Sequence, residues 1–120
     1  IPAVIQMIWM SSEGMPQSIT ISLKKVRQRP KEIRCIGFYL WHDYETNPKI
    51  IELQVRDSRS NNDDFIQWKT IRLERRIGTQ LYNVDPIMKK FDTIKLIIKE
   101  TYGENQTYLN QVMLYEEMPN

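Results

Sequence analysis

The chain has 120 residues, a length typical of a single domain, and it carries 17 Lys and Arg against 15 Asp and Glu. The resulting net charge of +2 predicts no strong attraction to nucleic acid or to an anionic membrane. Apolar residues at 41% and charged residues at 27% are typical of folded proteins and exclude a disordered chain. The longest mainly apolar stretch, residues 1–10, has about half of the roughly 20 residues that a spanning helix needs, so no membrane insertion is predicted. Because the first residue is Ile, we interpret residues 1–120 as one domain of a longer protein.

The chain contains one cysteine, Cys35, and one histidine, His42, and this excludes most metal and redox chemistry. Zinc sites take three or four ligands of the Cys and His type, so no metal is expected. Cys35 has no partner for an internal disulfide, whereas small secreted domains are commonly disulfide-bonded. The sequence therefore predicts an intracellular, cytoplasmic location.

The inventory of groups that catalyse reactions is also poor. Cys35 and His42 lie seven residues apart, an odd step along a strand, and such a step places two side chains on opposite faces. The carboxylate pairs at 43/45, 63/64 and 116/117 lie in polar segments where burial cannot raise a carboxyl pKa. The four glycines are isolated and form no phosphate-binding loop. We predict that the protein is not an enzyme and holds no cofactor.

The composition predicts a β-domain. The chain has sixteen Ile and one Ala, and Ile, Val, Thr, Phe, Tyr and Trp together make up 40 residues. Apolar residues alternate with period two, which predicts seven strands. In chain order these lie near 4–9, 18–24, 33–41, 50–57, 66–73, 92–99 and 108–115. The fold class predicted is an all-β antiparallel sandwich.

The connections between the predicted strands carry further expectations. Asp85 and Pro86 suit the N-cap and first position of one short helix near 86–91. Counting seven strands up and down places the loops 11–17, 42–49 and 74–91 at one end of the sandwich. The loops 25–32, 58–65 and 100–107 then lie at the other. The cluster of basic residues in 24–34 is interpreted as a solvated loop, although an acidic partner is an alternative.

Two strands have unusual patterns. In 33–41, both faces are apolar, so either another part of the chain or a partner must cover the outer one. In 66–73, Ile71 and Leu73 have the opposite parity from Ile66 and Trp68, which predicts a β-bulge. Trp68 is expected to be largely buried, and Trp9 is expected to anchor the core.

One segment resembles a known superfamily. Trp9 is followed by a Ser-containing turn with Gly14, by Pro16 and by the alternating residues Ile19 and Ile21. This order resembles a segment of the galactose-binding-like jelly rolls. They include discoidin (coagulation factor type C) domains, the DOC domain of the anaphase-promoting complex, and ciliary and centrosomal jelly-roll domains. The later order of strands, with Asn47-Pro48 opening one and residues 110–115 closing the domain, is similar too.

The resemblance implies a jelly-roll sandwich with a ligand site formed by two loops at one end. Carried over to this sequence, it assigns partner contacts to Ser12, Glu13, Met15, His42, Asp43, Tyr44 and Glu45. Members that hold calcium use oxygen ligands ahead of the Trp, but residues 3–7 offer no carboxylate, so the prediction of no metal stands.

The function predicted is a protein-interaction module without catalytic activity. The segment 15–19, Met-Pro-Gln-Ser-Ile, resembles the ciliary and centrosomal members most closely, which implies a protein partner and a location at a cilium or centrosome. One alternative is a DOC-like substrate-recognition domain of a ubiquitin ligase. The other is a carbohydrate- or lipid-binding discoidin module. Nucleic acid is not expected, since the basic cluster has no interleaved aromatic residues.

Overall fold

A computed structural model describes residues 3–24, 26, 32–59, 64–87 and 90–119, and these form two antiparallel sheets packed as a sandwich. Sheet 1 has the strand order β1-β8-β3-β6 and sheet 2 the order β2-β7-β4-β5. The strands are β1 (Ala3–Met10), β2 (Gln17–Ser22), β3 (Cys35–Leu40), β4 (Pro48–Arg56), β5 (Ile66–Arg72), β6 (Gly78–Asn83), β7 (Thr93–Thr101) and β8 (Tyr108–Tyr115). Most of the basic cluster, residues 25 and 27–31, lies outside this description. Within it, no helix is long and apolar enough to cross a membrane.

The core lies between the inner faces of the two sheets, as the alternation predicted. In sheet 2, the register pairs Ile19 with Leu96 and Leu96 with Leu53, so apolar side chains form continuous rows across three strands. Sheet 1 contributes Ile36, Phe38 and Leu40, all fully buried. Each such side chain adds about 1.5–3 kcal/mol of favourable burial. The all-β antiparallel sandwich is therefore confirmed.

An eighth strand, β6, was not predicted. Its inward positions are Gln80 and Tyr82, which pair with Phe38 and Ile36 of β3. Gln80 is buried, and both ends of its amide are satisfied there: its Oε1 accepts from Glu74 N (2.8 Å) and its Nε2 donates to Glu74 O (2.8 Å). A polar side chain satisfied in this way at a core position removes the apolar alternation that marks a strand.

The short helix predicted near 86–91 is wrong for the residues described there, which form no helix. An N-cap residue must offer its C=O to the first intrahelical hydrogen bond. The C=O of Asp85 instead accepts from Trp68 Nε1 at 2.7 Å, and the neighbouring Val84 N donates to Arg34 O at 3.0 Å. The backbone of this segment is thus paired with other parts of the fold.

The β-bulge predicted in 66–73 is present at Trp68. The register pairs Leu53 with Lys69 and Gln54 with Gln67, which leaves Trp68 as the extra residue of β5. Trp68 is nevertheless only partly buried, not largely buried as predicted, because the bulge lies on an edge strand of sheet 2. It packs against the core with its ring centroid 5.7 Å from that of Phe91.

The outer face of β3 is covered by the chain itself. A Cβ atom at Gly37 would lie within 3.4 Å of side-chain atoms of Leu81, Met113 and Tyr115. Cys35 is buried beside them with its Sγ 3.6 Å from Met118 Sδ, and burial raises the pKa of its thiol. The glycine thus lets side chains from β6 and β8 close over the strand. The sequence left open whether the chain or a partner covers this face, and at these residues the chain itself covers it.

A buried carboxylate, Asp92, joins three segments at one end of the sandwich. Its oxygens accept from Ser58 N (3.0 Å), Ser58 Oγ (2.6 Å) and Thr93 Oγ1 (2.8 Å). Its backbone bonds Arg56 O and Leu23 N. Burial raises the pKa of Asp92, but the hydrogen bonds from Ser58 and Thr93 and the charge of Lys24 outweigh it and hold the pKa far below its usual value.

Replacing Trp68 tests the packing at the bulge. We expect Trp68→Ala to lower the free energy of unfolding by about 2–4 kcal/mol, since it removes both the ring contact and the hydrogen bond to Asp85. Trp68→Phe keeps most of the packing and should lower it by about 1 kcal/mol. Urea unfolding measures both, and equal losses would show that the ring does not contribute.

Replacing Asp92 tests the buried carboxylate. A depressed pKa contributes stability that is complete above the unfolded-state pKa of about 4 and is lost as the pH falls through the folded-state value. We therefore expect Asp92→Asn to lower the free energy of unfolding by about 1–3 kcal/mol at pH 7 and to flatten its decline between about pH 5 and 3. Denaturant melts at several pH values measure this, with the exposed Glu100→Gln as control; an unchanged slope in Asp92→Asn would contradict it.

Candidate functional site

Four connections meet at one end of the sandwich, which we call the loop end: residues 11–16, 41–47, 73–77 and 102–107. They are alternate connections of an eight-stranded antiparallel fold. The sequence placed the loop 100–107 at the opposite end, and this is wrong because the missed strand β6 changes the parity of every later connection. The hydrogen bonds described below confirm that 102–107 lies between 11–16 and 41–47.

The loop 11–16 is fixed to 102–107 through backbone groups. Ser11 N donates to Thr107 O at 2.9 Å, and Gly14 N donates to Asn105 O at 2.8 Å. Thr107 N in turn donates to the buried Ser11 Oγ at 3.0 Å. Gly14 has φ of 101°, a left-handed conformation that favours glycine, so the turn depends on this residue type. The loop is therefore held in one shape by its neighbour.

The loop 41–47 is organised by the side chain of Asn47, which is fully buried. Its Nδ2 donates to His42 O at 2.9 Å, while its Oδ1 accepts from Tyr44 N at 3.2 Å and from His42 Nδ1. Its backbone N donates to Tyr44 O and its backbone O accepts from Tyr102 N. One carboxamide thus satisfies the turn from inside, because water cannot reach these backbone groups.

The imidazole of His42 supports an exposed aromatic ring. Tyr44 stacks on it with ring centroids 4.8 Å apart and planes 4° apart, and Tyr108 meets its edge at 5.3 Å. Because Asn47 Oδ1 is an acceptor, His42 Nδ1 is the donor to it, and His42 Nε2 is buried without a protein partner. Tyr44 itself is 61% exposed. The result is a flat aromatic surface whose orientation is set from below.

Charged groups surround this ring. Arg75 Nε lies 2.7 Å from Asp43 Oδ1, which ties the loop 73–77 to the loop 41–47. Glu104 N donates to Glu45 O at 3.3 Å, and a Cβ at Gly103 would lie 3.4 Å from the Glu45 carboxylate. Residues whose side chains accept and donate hydrogen bonds therefore lie next to Tyr44 in its loop and in the loop 73–77.

The residues assigned from the sequence fall into two groups here. His42, Asp43, Tyr44 and Glu45 lie together in one loop, while Ser12 and Glu13 lie in the loop 11–16, on the other side of 102–107. Met15 was expected to be an exposed contact residue, but it is only partly exposed and packs against the core. The assignment of these residues to a ligand stays a prediction.

Sequence reasoning missed the contributions of Arg75 and of the loop 102–107. The strand count already placed Arg75 at this end, within the loop 74–91, but not its pairing with Asp43. A correct count would also have placed the loop 102–107 here, and Gly78 before an apolar-aromatic pair was the signal available for β6. Among the side chains that the structure describes, no three or more His, Cys, Asp or Glu converge as a metal site would require. The absence of a bound metal stays a prediction from the sequence.

Comparisons with known proteins concern the whole fold. No protein-family model matches the chain, and no curated protein matches it either. Similar solved structures do exist. CpGH89CBM32-5 from Clostridium perfringens, solved in complex with GalNAc-β-1,3-galactose, has a TM-score of 0.71 at 18% identity and covers 92% of this chain and 76% of its own.

Two further solved structures agree. An F5/8 type C domain from Bacteroides fragilis has a TM-score of 0.68 at 15% identity, covering 96% of this chain and 76% of its own. The family 32 carbohydrate-binding module of EndoD from Streptococcus pneumoniae has a TM-score of 0.60 at 16% identity, covering 92% and 75%. These neighbours are discoidin-like and carbohydrate-binding domains. The chain therefore has the galactose-binding-like jelly-roll fold that its Trp9 to Ile21 segment predicted.

Proposed function

We propose that this domain is a non-catalytic carbohydrate-binding module whose ligand docks on the Tyr44 ring at the loop end. The fold neighbours are binding modules, and one of them is solved in complex with GalNAc-β-1,3-galactose. The observation that carries the proposal is the exposed Tyr44 ring held parallel to His42. An aromatic surface bordered by a few placed polar groups is the usual composition of a small-ligand site.

The chemistry of the surrounding groups fits a sugar. The apolar face of a pyranose can pack on Tyr44, while its hydroxyl groups can donate to Asp43 or Glu45 and accept from Arg75. The ring and its neighbours are already ordered by Asn47 and by the Arg75–Asp43 pair, so binding orders few side chains. Such pre-organisation favours affinity for a small polar ligand.

A protein partner, our prediction from the sequence, is the second candidate. It is favoured by three further apolar side chains that are half exposed near this end: Met10 at 51%, Trp41 at 49% and Ile77 at 59%. Exposed aromatic and apolar groups of this kind are typical anchors in protein interfaces. A substrate-recognition role like that of DOC domains belongs to this candidate, as does the ciliary or centrosomal location, which imaging of the tagged protein in cells would test.

Replacing Tyr44 tests the first candidate. In a glycan array followed by titration with the best-bound sugar, we expect Tyr44→Ala to weaken binding at least tenfold. Tyr44→Phe keeps the ring and should stay within about threefold. The melting temperature should change little in either variant, since exposed substitutions usually alter stability by less than about 0.5 kcal/mol.

The same array separates the two candidates. Trp41→Ala serves as a matched control, because Trp41 is an exposed aromatic residue outside the His42 stack. If no glycan binds and affinity capture recovers a protein whose binding needs Trp41 and Met10, then the carbohydrate proposal is wrong and the protein-interaction candidate is supported.

Asn47 should act on the ligand through Tyr44 without contacting it. We expect Asn47→Ala to weaken sugar binding by about as much as Tyr44→Ala, and to lower the free energy of unfolding by about 1–3 kcal/mol because backbone groups lose their partner. Asn83→Ala, at an exposed asparagine of β6, is the control. Sugar titration and urea unfolding measure the two effects; full affinity in Asn47→Ala would show that the ring does not depend on the carboxamide.

A further inference from the structure

The outer face of sheet 2, remote from the Tyr44 ring, carries a different kind of surface. The register aligns its outward residues in rows across β2, β7, β4 and β5. One row contains Ser18, Ile97, Glu52 and Thr70, and the next contains Thr20, Lys95, Gln54 and Gln67. Most side chains of these two rows therefore carry hydroxyl or amide groups, and Lys95 is their one cation.

Cations outnumber carboxylates on this face. Arg56, Arg72, Lys95 and Lys99 lie on it, and the carboxylates among the described residues of these rows are Glu52 and Glu100. Lys99 Nζ lies 3.2 Å from Glu52 Oε2, so the charge of Lys99 is paired with a carboxylate whose side chain is mostly buried. We call this surface, with the four cations and their hydroxyl and amide neighbours, the cationic face. Its field favours an anionic ligand.

A shallow cavity lies on the cationic face at the junction of β2 and β7. It has a volume of about 240 Å³ and is lined by Pro16, Gln17, Ser18, Lys95, Ile97 and Lys99. Lys95 and Lys99 lie four residues apart on β7, a separation of roughly 13 Å along a strand. The cavity therefore has an apolar wall at Ile97, the side chains of two lysines beside it, and hydroxyl and amide groups along β2. The two ammonium groups themselves lie near Phe65 and Glu52.

Among the described residues, the aromatic ring that contacts these cations is Phe65, and cations already lie over it. Arg56 Cζ lies 4.7 Å and Lys95 Nζ 5.3 Å from the centroid of Phe65. The ring thus holds two cations close together and is not free to stack on a base. Arg56 Nε is buried without a hydrogen-bond partner, so a donor remains for an acceptor group that reaches this position.

These features separate the classes of polyanion. Single-stranded nucleic acid needs free aromatic rings interleaved with the cations, and the cationic face has none among its described residues. A protein interface takes its affinity from Trp, Tyr and large apolar anchors, and the two rows named above contain no Trp or Tyr and only Ile97 as a large apolar residue. Cations among Ser, Thr and Gln side chains instead match a chain that carries both anionic groups and hydroxyl groups.

We propose that the cationic face is a second binding site, and that its ligand is an anionic polysaccharide carrying sulfate or carboxylate groups. Lys95 contacts the anionic groups, and Lys99 does so by exchanging Glu52 for the ligand. Ser18 and Gln17 bond sugar hydroxyl groups, and Ile97 packs against the apolar part of a ring. Binding at the cationic face does not require a ligand at Tyr44, and binding at Tyr44 does not require a ligand at the cationic face.

Heparin, as a sulfated polysaccharide, is the probe for the test. We expect Lys95→Gln with Lys99→Gln to weaken heparin binding at least tenfold at about 0.15 M salt and to reduce its salt dependence, because fewer counterions are displaced. Lys69→Gln with Lys90→Gln makes the same charge change at exposed lysines off this face and should stay within twofold. Both double variants should melt within about 2 °C of the parent, since exposed ion pairs contribute little.

Further measurements distinguish a localised site from general attraction between opposite charges. Chemically desulfated, uncharged heparin should not bind, and chemical shifts caused by heparin should map to β2, β7 and β4 while Tyr44→Ala binds heparin normally. Equal loss in the two lysine variants would overturn the proposal. So would loss in Lys25→Gln with Arg27→Gln but not in Lys95→Gln with Lys99→Gln, or tighter binding of single-stranded RNA or polyglutamate than of heparin at equal charge.

Discussion

The ends of the sandwich depend on one constraint: backbone N–H and C=O groups at the rim of an apolar core must be hydrogen-bonded without water. Sheet hydrogen bonds satisfy the strands, but each connection leaves groups exposed to the core. The chain meets this need with a small set of buried polar side chains, among them Ser11, Asn47, Gln80, Asp92 and Asn110. Most of them bond the backbone of a segment other than their own strand, and so each of these joins two neighbouring segments at an end of the sandwich.

The two ends use this rim differently. At one end, Asp92 brings its charge into a site where Ser58 and Thr93 donate, and the role is structural. At the loop end, Asn47 faces inward and thereby turns the His42 and Tyr44 rings outward. A neutral carboxamide suits this position, because it both donates and accepts and needs no counter-charge near the surface that it shapes.

What the sequence predicts well is what packing in the core enforces locally. Strands such as β4 and β7, whose Ile, Leu and Val alternate, follow from the pattern alone, because a sheet side chain must point either into the core or out of it. Gln80 breaks the rule, since its partners at Glu74 become visible only after the chain folds, and β6 was missed. Because β6 was not counted, the loop 102–107 was assigned to the wrong end of the sandwich.

The candidate site was predictable to the same limited degree. The loop of His42, Asp43, Tyr44 and Glu45 was found because the family order places it after a strand, and it does lie at the loop end. Arg75 and Asn47 were not found, since their importance arises from contacts between loops and no periodicity encodes those. Trp68 shows the converse: its bulge was visible as a parity conflict, but its partial exposure follows from the edge position of β5.

The strand order also governs how the chain reaches this structure. Only β4 and β5 are both consecutive in the chain and paired in a sheet, whereas β1 pairs with β8, and β2 with β7. Nearly all native pairing must therefore wait for closure of long segments, which places the domain among slowly folding, non-local topologies. During synthesis on the ribosome, β1 has no partner until the last strand has emerged, so its apolar residues remain unpaired for most of translation.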